Sequence, residues 1–422
     1  MEDTKTIYRP TLKAVEAAAE KLKDIASVTP LIKNARYSKH FGANILLKRE
    51  DLQEVRSYKI RGAYNKISSL NTSQIENGIV CASAGNHAQG VAISCKLLKI
   101  KGTIFMPSPT PNQKIEQVKM FGEDYADVVL IGDTFDDAYQ AAKEDCEKLN
   151  KTFIHPFNDE KVIEGQATVG LEIIDQVKEQ PIHYVFVPVG GGGLAAGLSS
   201  VFKIISPQTK IISVEPKGAA AMLTSIRANK NIELKSIDSF VDGAAVKRVG
   251  DLNFAICKET LHRVVTVDEG KICQTILELY NKDAIVAEPA GVLSLSALEQ
   301  FKDEIKGKNV VCLISGSNND ITRTAEIKER ALLYANLKHY FIIKFPQRAG
   351  ALREFVVEIL GPTDDITHFE YTKKVNREND VAVVGLELKS PSDLQPLITR
   401  LKLHNFFGDY LNDKPDLFQF LV

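Results

Sequence analysis

His183-Tyr184-Val185-Phe186-Val187-Pro188-Val189-Gly190-Gly191-Gly192-Gly193-Leu194 joins an apolar run of strand character to four consecutive glycines, and a helical pattern then runs from Leu194 to Ile205. A strand, a glycine turn and a helix in that order is the unit from which parallel α/β sheets are built. Four glycines let the backbone approach an anion closely, and the helix behind them aims its N–H groups and dipole at the same point. The run therefore reads as a phosphate cup, with a turn needed only for close packing as the plainer alternative. Gly191, Gly193 and Gly197 also meet a relaxed dinucleotide-binding spacing, with Glu215 placed as a ribose acid; this nicotinamide dehydrogenase reading ranks second.

Two earlier segments extend the pattern. Ser83-Ala84-Gly85-Asn86-His87-Ala88-Gln89-Gly90 follows the apolar run from Gly78 to Ala82 and precedes a helical pattern at Ala88, Val91, Ala92 and Cys95. Its turn offers free N–H groups, a hydroxyl and an amide, a setting for a small carboxylate, or else an ordinary loop in which Ser83 or Asn86 is a cap. Ser57-Tyr58-Lys59-Ile60-Arg61-Gly62-Ala63 places a lysine at the start of a helix marked by Ile60, Tyr64, Ile67 and Leu70, with Ser57 as the candidate N-cap. The positive end of a helix disfavours an ammonium and favours the neutral amine that attacks an aldehyde. The alternative is a solvated surface lysine.

Taken in order, these motifs resemble the fold-type II pyridoxal phosphate enzymes, and most closely the threonine dehydratases, or threonine ammonia-lyases. The resemblance continues through Asp242-Gly243-Ala244-Ala245-Val246-Lys247-Arg248-Val249-Gly250, Ala287-Glu288-Pro289-Ala290-Gly291 and Ser315-Gly316-Ser317-Asn318, and covers roughly residues 7 to 330. It implies that Lys59 forms the internal Schiff base with pyridoxal 5'-phosphate and later removes the Cα proton. Asn86 would bond the ring hydroxyl, Gly190, Gly191, Gly192, Gly193 and Leu194 would hold the phosphate, and Ser315 would face the ring nitrogen. A hydroxyl at Ser315 cannot keep that nitrogen protonated, so the ring is a weaker electron sink and prompt loss of a β-leaving group is favoured. Ser83 and the Asn86 helix start would receive the substrate carboxylate. The implied reaction is β-elimination of L-threonine to 2-oxobutanoate and ammonia, the first step of isoleucine biosynthesis, with L-serine as the alternative substrate.

Departures from relatives narrow the choice. Serine racemases resemble the chain in the Ser83 loop but carry a second serine, an acid/base on the opposite cofactor face, where this chain has Ala84. They also bind a divalent ion through two acids, of which this chain has Glu215 but has Ala221 at the second position, so no metal is expected. Ala167 stands where the family often has glycine. A catalytically dead amino-acid sensor that kept the fold is the reading from a different class, and the intact Lys59, Asn86, glycine run and Ser315 argue against it.

Composition fits such an enzyme. The 422 residues exceed a single compact core and should divide into about three folding units. With 53 basic and 54 acidic residues, no charge excess points to nucleic acid or an anionic membrane. The six cysteines are dispersed and mostly lie in apolar runs, as in a cytoplasmic protein. Met1-Glu2-Asp3-Thr4-Lys5 is too polar for a signal peptide, and the uncharged stretch from Gln180 to Phe202 is broken by Pro188 and the glycines.

Short apolar runs at Gly102–Met106, Asp127–Ile131, Tyr184–Val189, Lys210–Val214 and Asn309–Ile314 alternate with amphipathic segments and predict buried parallel strands. The resemblance assigns residues 1–330 to the catalytic region, with a small lobe near 55–150. From 339 to 422 the pattern becomes strand Tyr340–Phe345, helix Gly350–Leu360, strands Ile366–Lys373 and Asp380–Leu388, helix Ser390–Asn405 and strand Leu417–Leu421, a ferredoxin-like βαββαβ unit. Pro346-Gln347-Arg348-Ala349-Gly350-Ala351-Leu352 at its first turn resembles the ACT-like amino-acid-sensing domains of biosynthetic threonine dehydratases. That resemblance implies control by isoleucine and valine and a homo-oligomer, a tetramer; a ligand-free dimerisation module is the alternative.

Overall fold

The computed structural model describes residues 8–178, 180–371, 379–414 and 416–418. Two units divide the chain, Met1–Ile321 and Thr322–Val422. The strands of the first are β1 (Leu31–Lys33), β2 (Asn44–Arg49), β3 (Ile79–Ala82), β4 (Gly102–Met106), β5 (Ala126–Leu130), β6 (Thr152–Phe153), β7 (Tyr184–Pro188), β8 (Lys210–Pro216), β9 (Arg263–Val267) and β10 (Asn309–Ile314). They form a six-stranded sheet in the order β1-β2-β10-β7-β8-β9 and a four-stranded sheet in the order β5-β4-β3-β6. Every neighbouring pair is parallel except β1 with β2.

The apolar runs become strands because helices cover both faces, so side chains of either parity must leave water. All five residues of β7 are buried, and each of Val185, Phe186 and Val187 contributes about 1.5–3 kcal/mol by that burial. The helix Gly193–Ile205 then packs on the helix Glu160–Val177 almost backbone to backbone. A Cβ on Gly197 would lie 2.5 Å from the Ile163 carbonyl oxygen and 2.8 Å from the Ala167 nitrogen. Gly197 is thus a packing glycine, and the dinucleotide reading loses its third position. Glu215 is likewise occupied: its two carboxylate oxygens accept the N–H groups of Met222 and Leu223 at 2.7 and 2.8 Å.

The second unit contains β11 (Lys338–Pro346), β12 (Asp365–Tyr371), β13 (Asn379–Glu387) and β14 (Phe407–Tyr410). Their order, β12-β13-β11-β14 with every pairing antiparallel, is that of a ferredoxin-like sheet. Helix Ala351–Glu354 continues into a wider π-helical turn over Phe355–Ile359, and helix Leu394–Leu403 completes the βαββαβ path. Phe341, Phe345, Phe355 and Phe406 form the centre of its core. Helix Thr324–Tyr334 belongs to this unit, where Glu329 accepts the Tyr340 hydroxyl at 2.6 Å. The expected last strand is corrected: β14 lies at Phe407–Tyr410, Leu417 is in a helical turn over 416–418, and 419–421 lie outside the described residues. No helix among the described residues is long and apolar enough to cross a membrane.

Candidate active site

Lys59 is the first residue of the helix Lys59–Ile67, as its spacing predicts, but the cap differs from expectation. Tyr58 occupies the cap position without a side-chain hydrogen bond, and the Ser57 hydroxyl is buried with no partner among the described residues. Ser57 instead forms a β-bridge with Gly316. Beside it, Tyr58 N–H donates to the Ser315 carbonyl at 3.2 Å and Ser317 N–H donates to the Arg56 carbonyl at 2.9 Å. Tertiary pairing has therefore overridden the local cap, and the same stitching brings Ser315 to the Lys59 helix start. The Ser315 hydroxyl donates to the Ala290 carbonyl at 3.3 Å.

The Lys59 side chain enters a pocket walled by Pro156, Phe157, the glycine run and Gly243. Its Nζ donates to the Pro156 carbonyl at 3.3 Å. Desolvation pushes the amine down to about 8, against the opposing pull of the Glu288 carboxylate. Since the charged form is the one disfavoured by burial, a substantial neutral fraction exists near pH 8. Beneath it, Arg61 fixes the helix: its guanidinium donates to both oxygens of Glu50 at 2.8 and 2.9 Å and to Glu172 at 2.6 Å. Lys48 completes this buried cluster with its own 2.6 Å bond to Glu172.

The glycine run faces Lys59 across the pocket. Gly192 has φ +91°, a left-handed conformation open to glycine at low cost. At Gly191 a Cβ would lie 2.2 Å from the Phe157 ring, so a side chain there is excluded. Asn253 pins both walls by donating to the carbonyls of Gly191 at 2.7 Å and Phe157 at 3.0 Å. His155 Nδ1 accepts the N–H groups of Phe157 and Asn158, which shapes the opposite wall. Among the described residues the N–H groups of Gly191, Gly192, Gly193 and Leu194 have no acceptor. Four unspent donors at a helix N-terminus suit a phosphate.

Asn86 opens the helix Asn86–Leu98. Its Nδ2 donates to Glu288 Oε1 at 2.6 Å, and its Oδ1 accepts from Asn318 Nδ2 at 2.7 Å. Ser83 Oγ accepts the Gly85 N–H at 3.3 Å, which shapes the turn and leaves the hydroxyl proton free to donate. Lys59 and the glycine run line one pocket, Asn86 reaches the Ser315 segment through Glu288 and Asn318, and Ser83 lies outside the lining of that pocket. Sequence reasoning quoted Glu288 without giving it a task. Its signal was a single charge in the otherwise apolar stretch from Ile285 to Leu293. Burial, reinforced by Asp242, pushes its carboxyl up to about 7.

A lysine amine eased toward neutrality and a ring of unspent N–H groups, set between two parallel sheets, define an enzyme that holds a phosphorylated aldehyde. The chain belongs to the pyridoxal-phosphate dependent enzymes, whose family model matches residues 22–316. Residues 329–421 match the C-terminal regulatory domain of threonine dehydratase. Among curated proteins, the biosynthetic L-threonine dehydratase IlvA of Halalkalibacterium halodurans is 55% identical over 405 residues, covering 96% of this chain and 97% of its own. IlvA of Bacillus subtilis is 54% identical over 411 residues, 97% of either chain. The solved structure of processed threonine deaminase isoform 2 from Solanum lycopersicum is 39% identical, with a TM-score of 0.72 over 76% of this chain and 95% of that one. Maize serine racemase is 30% identical, with a TM-score of 0.71 over 78% and 99%. Pyridoxal 5'-phosphate is the cofactor, and the Lys59 amine with the Gly191–Leu194 cradle fits its aldehyde and its phosphate. The nicotinamide reading is set aside on these matches and on the occupied Gly197 and Glu215.

Proposed function

We propose that this chain converts L-threonine to 2-oxobutanoate and ammonia, with L-serine as a second substrate that would give pyruvate. The observation that carries the proposal is the Lys59 amine, held near neutrality at a helix start and facing four unspent backbone donors. When bound, pyridoxal phosphate supplies an aldehyde for amines and a conjugated ring that spreads the negative charge left on Cα. Gly190 to Leu194 would hold its phosphate, Asn86 would donate to its ring oxygen and Ser315 would serve its ring nitrogen. Ser83 and the N–H groups at the Asn86 helix start bind the substrate carboxylate.

Lys59, once released as a free amine, accepts the Cα proton. Its lowered affinity for protons lets it begin this step neutral, and the Pro156 carbonyl gives its ammonium form a resting partner afterwards. With Ala84 in place of a second hydroxyl, the opposite face has no matching proton carrier, so loss of the β-hydroxyl as water prevails over racemisation. Hydrolysis of the released enamine then gives the 2-oxo acid and ammonia. Identity to the IlvA dehydratases above 50%, against 30% to maize serine racemase, supports the same ordering.

On this reading the enzyme is cytoplasmic and a homo-oligomer, a tetramer, whose second unit binds isoleucine, valine or both and sets the affinity for threonine. Purified enzyme incubated with L-threonine tests it, with 2-oxobutanoate, ammonia and D-amino acid measured together. Stoichiometric 2-oxobutanoate and ammonia with negligible D-isomer is expected. Rapid formation of D-serine from L-serine would refute the one-faced mechanism.

A further inference from the structure

Asn86 is an asymmetric group: its carboxamide can donate from one end and accept at the other, and which end meets the cofactor decides what it recognises. Rotating that amide by half a turn would set Oδ1 against the Glu288 carboxylate and Nδ2 against Asn318 Nδ2, an acceptor on an acceptor and a donor on a donor. Asn318 cannot rotate to relieve this, because its Nδ2 also donates to the Val55 backbone carbonyl at 2.9 Å. A backbone carbonyl only accepts. The direction of the chain is therefore set at Val55 and passes through Asn318 and Asn86 to Glu288, which terminates it as an acceptor.

We propose, on the reading that Asn86 meets the cofactor's ring oxygen, that Glu288 is a positioning residue which holds the Asn86 amide so that its second N–H is the group offered to that oxygen. The bond that Asn86 Oδ1 accepts from Asn318 polarises the amide in the sense that strengthens its N–H donors. The residue is built into place: the Glu288 backbone N–H donates to the Gly316 carbonyl at 3.1 Å, and a Cβ on Gly316 would lie 2.4 Å from Glu288 Oε1. It is buried, and an uncompensated charge there would be costly, so a bound proton competes with the Asn86 amide and the Asn318 backbone N–H to satisfy it. The charged or titratable groups that reach it are Lys59 and Tyr58 at the helix start, Asp242 beyond Phe240, and Lys114 from helix Asn112–Gly122. Lys114 and Asp242 are paired with each other, so Lys114 offsets part of the upward push of Asp242 at Glu288. As the pH rises through about 7 the Glu288 carboxyl loses its proton and Asn86 gains a charged acceptor.

The experiment uses the full-length holoenzyme and reads two quantities besides turnover: the visible absorbance of the bound cofactor between about pH 5.5 and 9, and the cofactor dissociation constant. A wild-type spectral transition is expected near pH 7, where burial holds the Glu288 carboxyl. Glu288→Gln keeps the shape and an acceptor oxygen but cannot titrate, so the transition near pH 7 should vanish while cofactor affinity falls by less than about tenfold. Glu288→Ala leaves the Asn86 N–H unpaired and should weaken cofactor binding by about tenfold or more. Asn86→Ala separates this inference from the reading beneath it. If Asn86→Ala alters spectrum and affinity while both Glu288 variants keep the wild-type transition and affinity, the positioning role of Glu288 is refuted and the placement of Asn86 stands. If Asn86→Ala changes neither quantity, Asn86 does not meet the cofactor and the inference falls with that placement.

Discussion

The two units of this chain differ in how many charged groups they bury and in how far apart along the sequence the partners of those groups lie. In the first, residues far apart in sequence meet inside parallel sheets, as in the Asn86–Glu288 bond across 202 positions and the Asn318–Asn86 bond across 232. Lys48, Glu50, Arg61, Glu215 and Glu288 are all taken out of water there. In the second, the core is largely aromatic and aliphatic, with Lys338 and Asp380 among its few buried charged residues, and contacts such as the Arg348–Glu354 ion pair and the Ser390 N–H to Asp393 bond close over short spans. Buried charge is expensive and returns little net stability, whereas apolar burial stabilises directly. The first unit spends stability on chemistry. The second unit carries the match to the C-terminal regulatory domain of threonine dehydratase.

Lys59→Ala should produce the largest effect that separates the units. Turnover should fall by more than about 10³-fold and the cofactor's visible band should be lost, while thermal unfolding of the second unit is unaltered. Near-normal 2-oxo acid production by this variant would remove the basis of the site. Glu50→Gln comes next, since it strips Arg61 of its buried counter-charge and should cost the first unit about 3–5 kcal/mol in denaturant unfolding. Burial opposes the Glu50 charge, yet Arg61 prevails and holds its carboxyl below the ordinary range. A depressed carboxylate contributes stability above its unfolded value and loses it as the pH falls through the folded one. Wild type should therefore show an acid-sensitive loss of stability that the Gln variant lacks.

A smaller effect is expected from ending the chain after Ile321, which removes the second unit with its helix Thr324–Tyr334 intact. An effector coupling of about 1–3 kcal/mol, or roughly 5- to 150-fold in apparent threonine affinity, should disappear while Lys59-dependent turnover persists. Isoleucine inhibition that survives this cut undiminished would place the effector in the active site and leave the second unit an assembly role. The smallest change is Ser390→Ala, which removes the serine of a capping box with Asp393. It should lower the stability of the second unit by about 1 kcal/mol and leave turnover unchanged.

Much of this architecture was legible in the sequence because parallel strands buried on both faces write themselves as continuous apolar runs. Asn309–Ile314 and Gly102–Met106 become strands over the residues those runs mark. The Lys59 helix start and the glycine turn were equally open to local reading, since each depends on residues within one turn of the helix. Ser57 misled because its partner, Gly316, lies beyond the reach of any local rule. The last strand misled for the converse reason. Phe407–Tyr410 is short and carries Gly408 and Asp409, so its apolar signal is weaker than that of the tail, yet it is the segment that pairs with β11. Glu288 was visible only as an odd charge in an apolar stretch, because its contact with Asn86 exists only once the fold is closed.

The approach between the Lys59 and Asn86 helices has a mechanical consequence. A Cβ on Gly90 would lie 3.1 Å from the Lys59 carbonyl and 3.2 Å from Ile60 N, so these two backbones ride on one another with no side chain between them. The base and the loop proposed to grip the substrate carboxylate are thereby set against each other through direct backbone packing, so a side chain at Gly90 would displace both at once. Variants that loosen the opposite wall, where Phe157 lies against Gly191 and Gly193, should alter product release before they alter proton transfer.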